Sequence, residues 1–133
     1  MKKVIVFGTF DLLHPGHEHM LREAKEYGDY LIAVVARDKT VKKVKKMSPK
    51  YSEQERLTNL NNLDIANRVR LGYIKDKYKI LREEKPDIVA LGYDQKVFVN
   101  KLEDNIDKQV QIVRLAPYKP EMYKSSKLCL KKE

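Results

Sequence analysis

Two histidines, His14 and His17, are the residues whose types and spacing most directly indicate chemistry in this chain. They flank Gly16 in the sequence GTFDLLHPGH, residues 8–17, and the chain contains only three histidines. Imidazole N–H groups donate hydrogen bonds to phosphate oxygens, so two of them at one turn indicate phosphate chemistry. Metal ligation is the alternative. A pair at i, i+3 with no neighbouring cysteine or carboxylate triad favours zinc only weakly.

The sequence around these histidines predicts a turn between a buried strand and a helix. Residues 4–7 are a short apolar run typical of a strand covered on both faces of a parallel sheet. Gly8 lets the backbone approach a ligand closely, and Pro15 is preset for a first helical turn. An apolar stripe through Leu21 and Ala24 continues the helix. Both histidines are therefore predicted at its N-terminus, where backbone N–H groups and the helix dipole favour anions.

The motif resembles the HxGH signature of the cytidylyltransferase-like nucleotidyltransferases. This family includes glycerol-3-phosphate cytidylyltransferase, pantetheine-phosphate adenylyltransferase and archaeal-type FAD synthase, and the resemblance covers nearly the whole chain. It implies an enzyme that transfers the NMP group of a nucleoside triphosphate to a phosphorylated acceptor and releases pyrophosphate. His14 and His17 would then stabilise the phosphates during in-line attack on the α-phosphorus.

Strand and helix patterns alternate along the rest of the sequence. Gly28 is a plausible helix stop near a C-cap, and Ser52 with Glu55 forms a capping-box pattern that predicts a helix start near residue 53. The lysine-rich residues 39–50 are predicted as a loop or broken helix. Further strands are predicted at residues 30–35, 69–73, 85–92 and 110–115, and further helices at residues 78–81 and 97–107. These patterns predict one domain, residues 1–133, with an α/β, doubly wound, five-stranded parallel sheet of the Rossmann-like type.

The charge of the chain is compatible with two classes of partner. The formal net charge is +9, and lysines are dense in residues 39–50 and 124–132. Such a balance first indicates nucleic acid, but no recognition motif accompanies it. A triphosphate and a phosphorylated acceptor also require a basic site, and a solvated lysine-rich surface accounts for about half of these lysines. The preferred interpretation is therefore a small-molecule enzyme without a nucleic-acid partner.

The composition argues against disulfides and membrane spans. Cys129 is the single cysteine, so there is no internal disulfide framework and no CxxC metal site. No stretch approaches the roughly 20 apolar residues of a membrane span, and no signal peptide is recognisable at the start. We expect a soluble, cytoplasmic protein. The resemblance to single-domain relatives implies a homodimer.

The resemblance also assigns roles to residues at the ends of the predicted strands. The proposed catalytic donors are His14, His17, Lys43, Lys46 and Arg56. The proposed nucleotide-binding residues are Gly8, Thr9, Phe10, Asp11, His14, Gly16, His17, Gly92, Asp94, Ser125, Ser126 and Lys127. The proposed acceptor-binding residues are Asp38, Tyr93, Gln95 and Tyr123. No protein-only metal site is predicted: a divalent cation, expected to be Mg²⁺, is held mainly by the triphosphate, with Asp11 as a candidate outer-shell partner.

The acceptor is the least constrained part of the interpretation. The sequence GYDQ at residues 92–95 and the end of the second strand resemble archaeal-type FAD synthase more than the cytidylyltransferases, which implies ATP and FMN as substrates. The alternative is CTP with a small phosphate such as glycerol 3-phosphate, which needs a more compact and polar pocket than an isoalloxazine ring. A non-catalytic nucleotide- or nucleic-acid-binding module is the alternative from another class.

Overall fold

The chain forms a five-stranded, all-parallel sheet with helices on both faces. The computed structural model describes residues 2–45, 49–76, 78–92 and 109–115. In chain order, the described elements are β1 (Lys3–Gly8), α1 (Pro15–Glu26), β2 (Tyr30–Val35), α2 (Asp38–Lys45), α3 (Glu53–Asn62), β3 (Arg68–Leu71), α4 (Lys79–Glu84), β4 (Ile88–Leu91) and β5 (Gln111–Arg114). The predicted fold class is confirmed.

The strand order places β1 at the centre of the sheet. The order is β3-β2-β1-β4-β5, so β1 pairs with β2 on one side and with β4 on the other. Gly8, the last residue of β1, lies opposite Val35, the last residue of β2. The order in which strands are added to the sheet reverses between β1 and β4, and a crevice forms outside the carboxyl ends of parallel strands at such a point. The turn that follows Gly8 lies at this edge.

Different helices cover the two faces of the sheet. Side chains of β1 alternate: Val4 and Val6 pack with Leu21 of α1 and Leu60 of α3, whereas Ile5 packs in the layer that includes α4. Most residues of the inner strands β1, β2 and β4 are buried on both faces of the sheet, which explains why their sequences are continuous apolar runs. This two-layer core holds the carboxyl edge of the sheet in a fixed geometry.

Helix α1 ends where the sequence predicts, but for a different reason. The C-cap is Tyr27, with φ of −77°, and no glycine in the described ranges has a positive φ. A Cβ on Gly28 would instead lie 2.6 Å from the carbonyl oxygen of Lys2. Glycine is needed here because two backbone segments approach closely, and not because the helix needs a left-handed cap.

The later elements agree with the predictions apart from their ends and from the lysine-rich segment, which was predicted as a loop or broken helix. The Ser52–Glu55 capping box is present, with both reciprocal hydrogen bonds formed. The lysine-rich segment contains a regular helix, α2, whose Val41 is buried. Strand β3 ends at Leu71 rather than Tyr73, and β4 and β5 are shorter than predicted. The helix predicted at residues 97–107 lies outside the described residues, and so do the ends of the domain range 1–133.

None of the helices in the described ranges is long and apolar enough to cross a membrane.

A buried carboxylate joins α4 to the edge strand β3. The side chain of Glu84 is 6% exposed, and its Oε2 accepts a hydrogen bond from Arg70 Nη1 at 2.6 Å. Arg68 Nη1 lies 3.2 Å from the same oxygen, and Lys3 Nζ donates to the Glu84 carbonyl at 3.1 Å. Burial lowers the pKa of Arg70, but the hydrogen bonds and charges of Glu84 and Tyr73 outweigh this effect and raise it. The Arg70 guanidinium therefore stays charged.

Replacing Glu84 should destabilise the fold more than replacing its neighbour Glu83. We expect Glu84→Gln to lower the free energy of unfolding by about 2 kcal/mol, because it removes the buried carboxylate and leaves the partly buried Arg70 with the more exposed Glu83 as its charged partner. This is less than the full range for buried pairs, since the Arg68 side chain is 51% exposed. Glu83→Gln, at a side chain 41% exposed, is the matched control and should have a much smaller effect. Equal urea midpoints for the two variants would contradict the larger contribution of Glu84 to stability.

Candidate functional site

The two histidines lie at the N-terminus of α1, directly after the carboxyl end of β1. His14 is the N-cap, with an extended backbone, and Pro15 occupies the first helical position. The Nδ1 atom of His14 accepts a hydrogen bond from the backbone N–H of Gly16 at 3.0 Å. The imidazole rings of His14 and His17 are stacked, with centroids 4.0 Å apart and planes inclined by 35°. Sequence reasoning correctly predicted that these residues come together at a helix start.

The capping hydrogen bond fixes the chemical form of His14. Because Nδ1 acts as an acceptor, the proton of the neutral ring is assigned to Nε2. Burial lowers the pKa of His14 below its ordinary value of 6.5. Protonation of Nδ1 would break the cap and add positive charge at the positive end of the helix dipole. His14 is therefore a neutral imidazole that can donate a hydrogen bond from Nε2–H to a phosphate oxygen.

The side chain of Phe10 lies in the core and not on the surface of the turn. Its side chain is only 3% exposed and belongs to the core cluster beneath the turn. Its φ is +52°, a left-handed conformation that a bulky residue seldom adopts. The ring is therefore directed into the protein, where it contacts His17, and the predicted contact of Phe10 with nucleotide would have to come from its backbone.

Asp11 fastens the turn to the segment that precedes α3. Its two carboxylate oxygens accept the backbone N–H groups of Lys50, at 2.7 Å, and Tyr51, at 2.8 Å. The sequence predicted Asp11 as a nucleotide-binding residue and outer-shell metal partner. Its carboxylate lies at the predicted turn, and the hydrogen bonds that it makes there are structural.

Arg56 is the residue whose placement differs most from the expectation. Its side chain is fully buried. Nη1 donates to the Thr9 carbonyl at 2.8 Å, Nε to the Tyr51 carbonyl at 3.1 Å, and Nη2 to Asp38 Oδ1 at 2.7 Å. A guanidinium in this position cannot reach a substrate without leaving the core. These hydrogen bonds give Arg56 a positioning role beneath the turn, and its predicted role as a direct phosphate donor would require a different side-chain conformation.

Asp38 and Glu53 cap each other's helices. The backbone N–H of Asp38 donates to Glu53 Oε1 at 2.9 Å, and that of Glu53 donates to Asp38 Oδ2 at 3.3 Å. Burial raises the pKa of Asp38, but the hydrogen bond and charge of Arg56 and the N–H of Glu53 outweigh that effect and hold it below 3.8. Arg37 adds bonds to Glu53 and to the Gly72 carbonyl. Asp38 was predicted as an acceptor-binding residue, which stays a prediction, and its carboxylate here bonds Arg56 and Glu53.

Sequence reasoning missed Glu53 and Arg37. Both belong to the network around Arg56, and together they join the carboxyl ends of β2 and β3 to the start of α3. The available signal was an acidic residue in the first turn of a helix with a recognisable capping box, since helix N-termini attract carboxylates. Nothing in the sequence indicated that the partner of this carboxylate is an arginine sixteen positions earlier.

The remaining predicted site residues fall into two groups. Gly8, Thr9 and Gly16 belong to the β1–α1 turn, Gly92 follows β4 at the same edge of the sheet, and Lys43 lies exposed on α2. Lys46, Tyr93, Asp94, Gln95, Tyr123, Ser125, Ser126 and Lys127 lie outside the described residues.

The comparison with protein families identifies one family over almost the whole chain. The family model described as Cytidylyltransferase-like matches residues 5–131. A protein named FAD synthase from Thermoplasma volcanium is 42% identical over 129 residues, which cover 95% of this chain and 90% of that protein. A protein of the same name from Methanosarcina barkeri is 43% identical over 109 residues, covering 82% of this chain and 77% of that protein.

A solved structure supports the same fold assignment. The crystal structure of a protein described as the lipopolysaccharide core biosynthesis protein of Thermoplasma volcanium superimposes with a TM-score of 0.80. It is 41% identical in sequence, and the match covers 89% of this chain and 98% of that one. The functional names of these relatives differ, whereas the family and the fold agree.

The tautomer and the protonation state of His14 can be measured directly. We expect nitrogen chemical shifts of the imidazole to show the Nε2–H tautomer, and a titration midpoint below 6.5, because burial disfavours the imidazolium. Nuclear magnetic resonance of histidine-labelled protein provides both quantities. A predominant Nδ1–H tautomer would show that the Gly16 hydrogen bond is absent in solution.

The Asp38–Arg56 pair should stabilise the folded protein at neutral pH and lose this effect at low pH. At about pH 7, Asp38→Asn should lower the free energy of unfolding by about 1 to 2 kcal/mol, because a buried guanidinium loses its charged partner. The folded-state pKa of Asp38 is depressed, so the stabilisation is present above its ordinary value of 3.8 and is lost as the pH falls through the folded-state pKa.

Urea unfolding of both proteins at about pH 7 and about pH 3 tests this linkage. The difference between wild type and Asp38→Asn should narrow at the lower pH. Asp64→Asn is the matched control, since it removes one exposed carboxylate from a left-handed position that asparagine tolerates. If the difference in free energy of unfolding between wild type and Asp38→Asn were the same at both pH values, the charge of Asp38 would not be the source of its stabilising effect.

Proposed function

The chain belongs to the cytidylyltransferase-like family, and from this premise we propose that it is an FMN adenylyltransferase, which makes FAD from ATP and FMN. A phosphate oxygen of FMN attacks the α-phosphorus of ATP. A new P–O–P linkage forms, the bond to the β-phosphate oxygen breaks, and pyrophosphate leaves. Relatives named FAD synthase, 42–43% identical over most of the chain, support the choice of substrates.

The observation that carries the proposal is the arrangement of His14 and His17. Two stacked imidazoles stand at the N-terminus of α1, and the capping bond to Gly16 orients His14. In phosphoryl and nucleotidyl transfer the protein contributes mainly by positioning and by stabilising charge on the transferred group. A preoriented Nε2–H donor at a helix N-terminus supplies both, and its loss commonly costs a few kcal/mol of transition-state stabilisation.

A divalent cation, which we propose is Mg²⁺, accompanies the triphosphate. The described residues contain no group of three or more His, Cys, Asp or Glu side chains that could hold a metal ion. Asp11, at the turn, already accepts two backbone N–H groups. This donor set fits an ion held mainly by phosphates and water. When bound, such an ion neutralises charge on the leaving pyrophosphate.

The roles of residues beyond the turn follow from the same hypothesis. We propose that Lys43 or Lys46 neutralises the triphosphate, that Gly92 and Asp94 line the base and that Ser125, Ser126 and Lys127 hold the terminal phosphates. Tyr93, Gln95 and Tyr123 are proposed for the flavin side of the acceptor. A homodimer in the cytoplasm completes the proposal, and light scattering of the purified chain, against its 15.6 kDa monomer mass, tests the dimer.

A pyrophosphate-release screen tests the substrates. With a magnesium salt, ATP and FMN should release pyrophosphate and form FAD. Riboflavin should give neither product, since it lacks the attacking phosphate. Activity with CTP and glycerol 3-phosphate, or with a sugar phosphate, and none with ATP and FMN would contradict the proposed substrates. The proposed reaction type, nucleotidyl transfer, would still stand. Salt-dependent binding of DNA or RNA without pyrophosphate release from any pair would overturn the reaction class.

A second test separates the two roles of His14. Asparagine is a favoured N-cap, so His14→Asn should retain the bond to Gly16 and unfold within about 0.5 kcal/mol of wild type, whereas His14→Ala should lose about 1 kcal/mol. Both variants should lower turnover by about 100-fold or more because the Nε2–H donor is absent. His19→Ala, at an exposed histidine of the same helix, is the control and should retain turnover. Full activity of His14→Asn would remove the imidazole from the mechanism.

A further inference from the structure

Phe10 combines three features that its burial alone does not require. Its backbone is left-handed, with φ of +52°, although it is neither glycine nor asparagine. Its ring is 3% exposed and lies 5.6 Å from the ring of His17, centroid to centroid, at an angle of 57°. A Cβ added to Gly8 would lie 2.9 Å from two atoms of the same ring. Strained backbone that the surrounding structure maintains is characteristic of functional sites.

The neighbours of Phe10 hold that strained backbone in place. The carbonyl of Thr9, on one side, accepts a hydrogen bond from Arg56, and the carboxylate of Asp11, on the other side, accepts two from the chain before α3. The left-handed turn between them directs the ring inward. Glycine at position 8 leaves the space that the ring occupies. The local structure is thus arranged to bring an aromatic ring under the histidine pair.

We infer that Phe10 is a positioning residue that orients His17 from below. The His17 imidazole is flanked by the Phe10 ring at 5.6 Å and by the His14 ring at 4.0 Å. A tilted aromatic contact favours a restricted set of ring orientations. With two rings packed against it, the His17 plane is set before substrate binds, which directs its N–H towards the phosphates. This inference rests on the proposed function for its effect on turnover.

The variant Phe10→Leu tests this role because leucine keeps an apolar side chain in the core and removes the aromatic ring. The imidazole proton resonances of His17 should shift, since the ring current of Phe10 is lost, while those of His19 stay in place. With ATP and FMN, kcat should fall about tenfold and KM for either substrate should change less than twofold, because orientation affects the transition state more than binding. Leu60→Val, in the same core cluster but on α3, is the control for lost packing and should keep its kcat.

A second variant, Phe10→Gly, relieves the left-handed backbone and also removes the ring. It should lose kcat as Phe10→Leu does, although its backbone is relaxed. Wild-type kcat in either folded variant, or unmoved His17 resonances in Phe10→Leu, would overturn the inference. If the wild type releases no pyrophosphate, the proposed function fails, and the His17 resonances still decide whether Phe10 sets the ring. Thermal unfolding curves confirm that each variant is folded at the assay temperature.

Discussion

The buried guanidinium of Arg56 is the interaction on which the candidate site depends. It donates to the Thr9 carbonyl in the β1–α1 turn, to the Tyr51 carbonyl before α3 and to Asp38 at the start of α2. Removing such a group from water costs several kcal/mol unless charge and hydrogen bonds compensate. The three segments that supply these acceptors must therefore stay together. Three loops at one edge of the sheet become a single unit.

This constraint explains how a turn without regular secondary structure can present two histidines in defined positions. Arg56 binds the turn at Thr9, and Asp11 binds the segment before α3, so Phe10 between them keeps its left-handed backbone. The histidines then follow at the start of α1, one as its cap and the other in its first turn. Preorganised donors of this kind need little rearrangement when charge develops on a substrate.

The sequence was sufficient for the parts of the fold that depend on local patterns. Continuous apolar runs predicted the strands, and the Ser52–Glu55 box predicted the start of α3, because each is a property of neighbouring residues. The role of Arg56 was not predictable in this way. An arginine in a first helical turn looks the same in sequence whether it faces a phosphate or three protein oxygens. Only the packing of α3 against the sheet decides between these environments.

The most direct test of this account is a crystal structure of the chain with Mg²⁺ and an ATP analogue in which a methylene group replaces the oxygen between the α- and β-phosphorus. We predict phosphate oxygens within about 3 Å of His14 Nε2 and of a ring nitrogen of His17. Arg56 should remain on Thr9, Tyr51 and Asp38. A triphosphate bound away from the histidines, or an Arg56 side chain withdrawn from the core to contact it, would contradict the account.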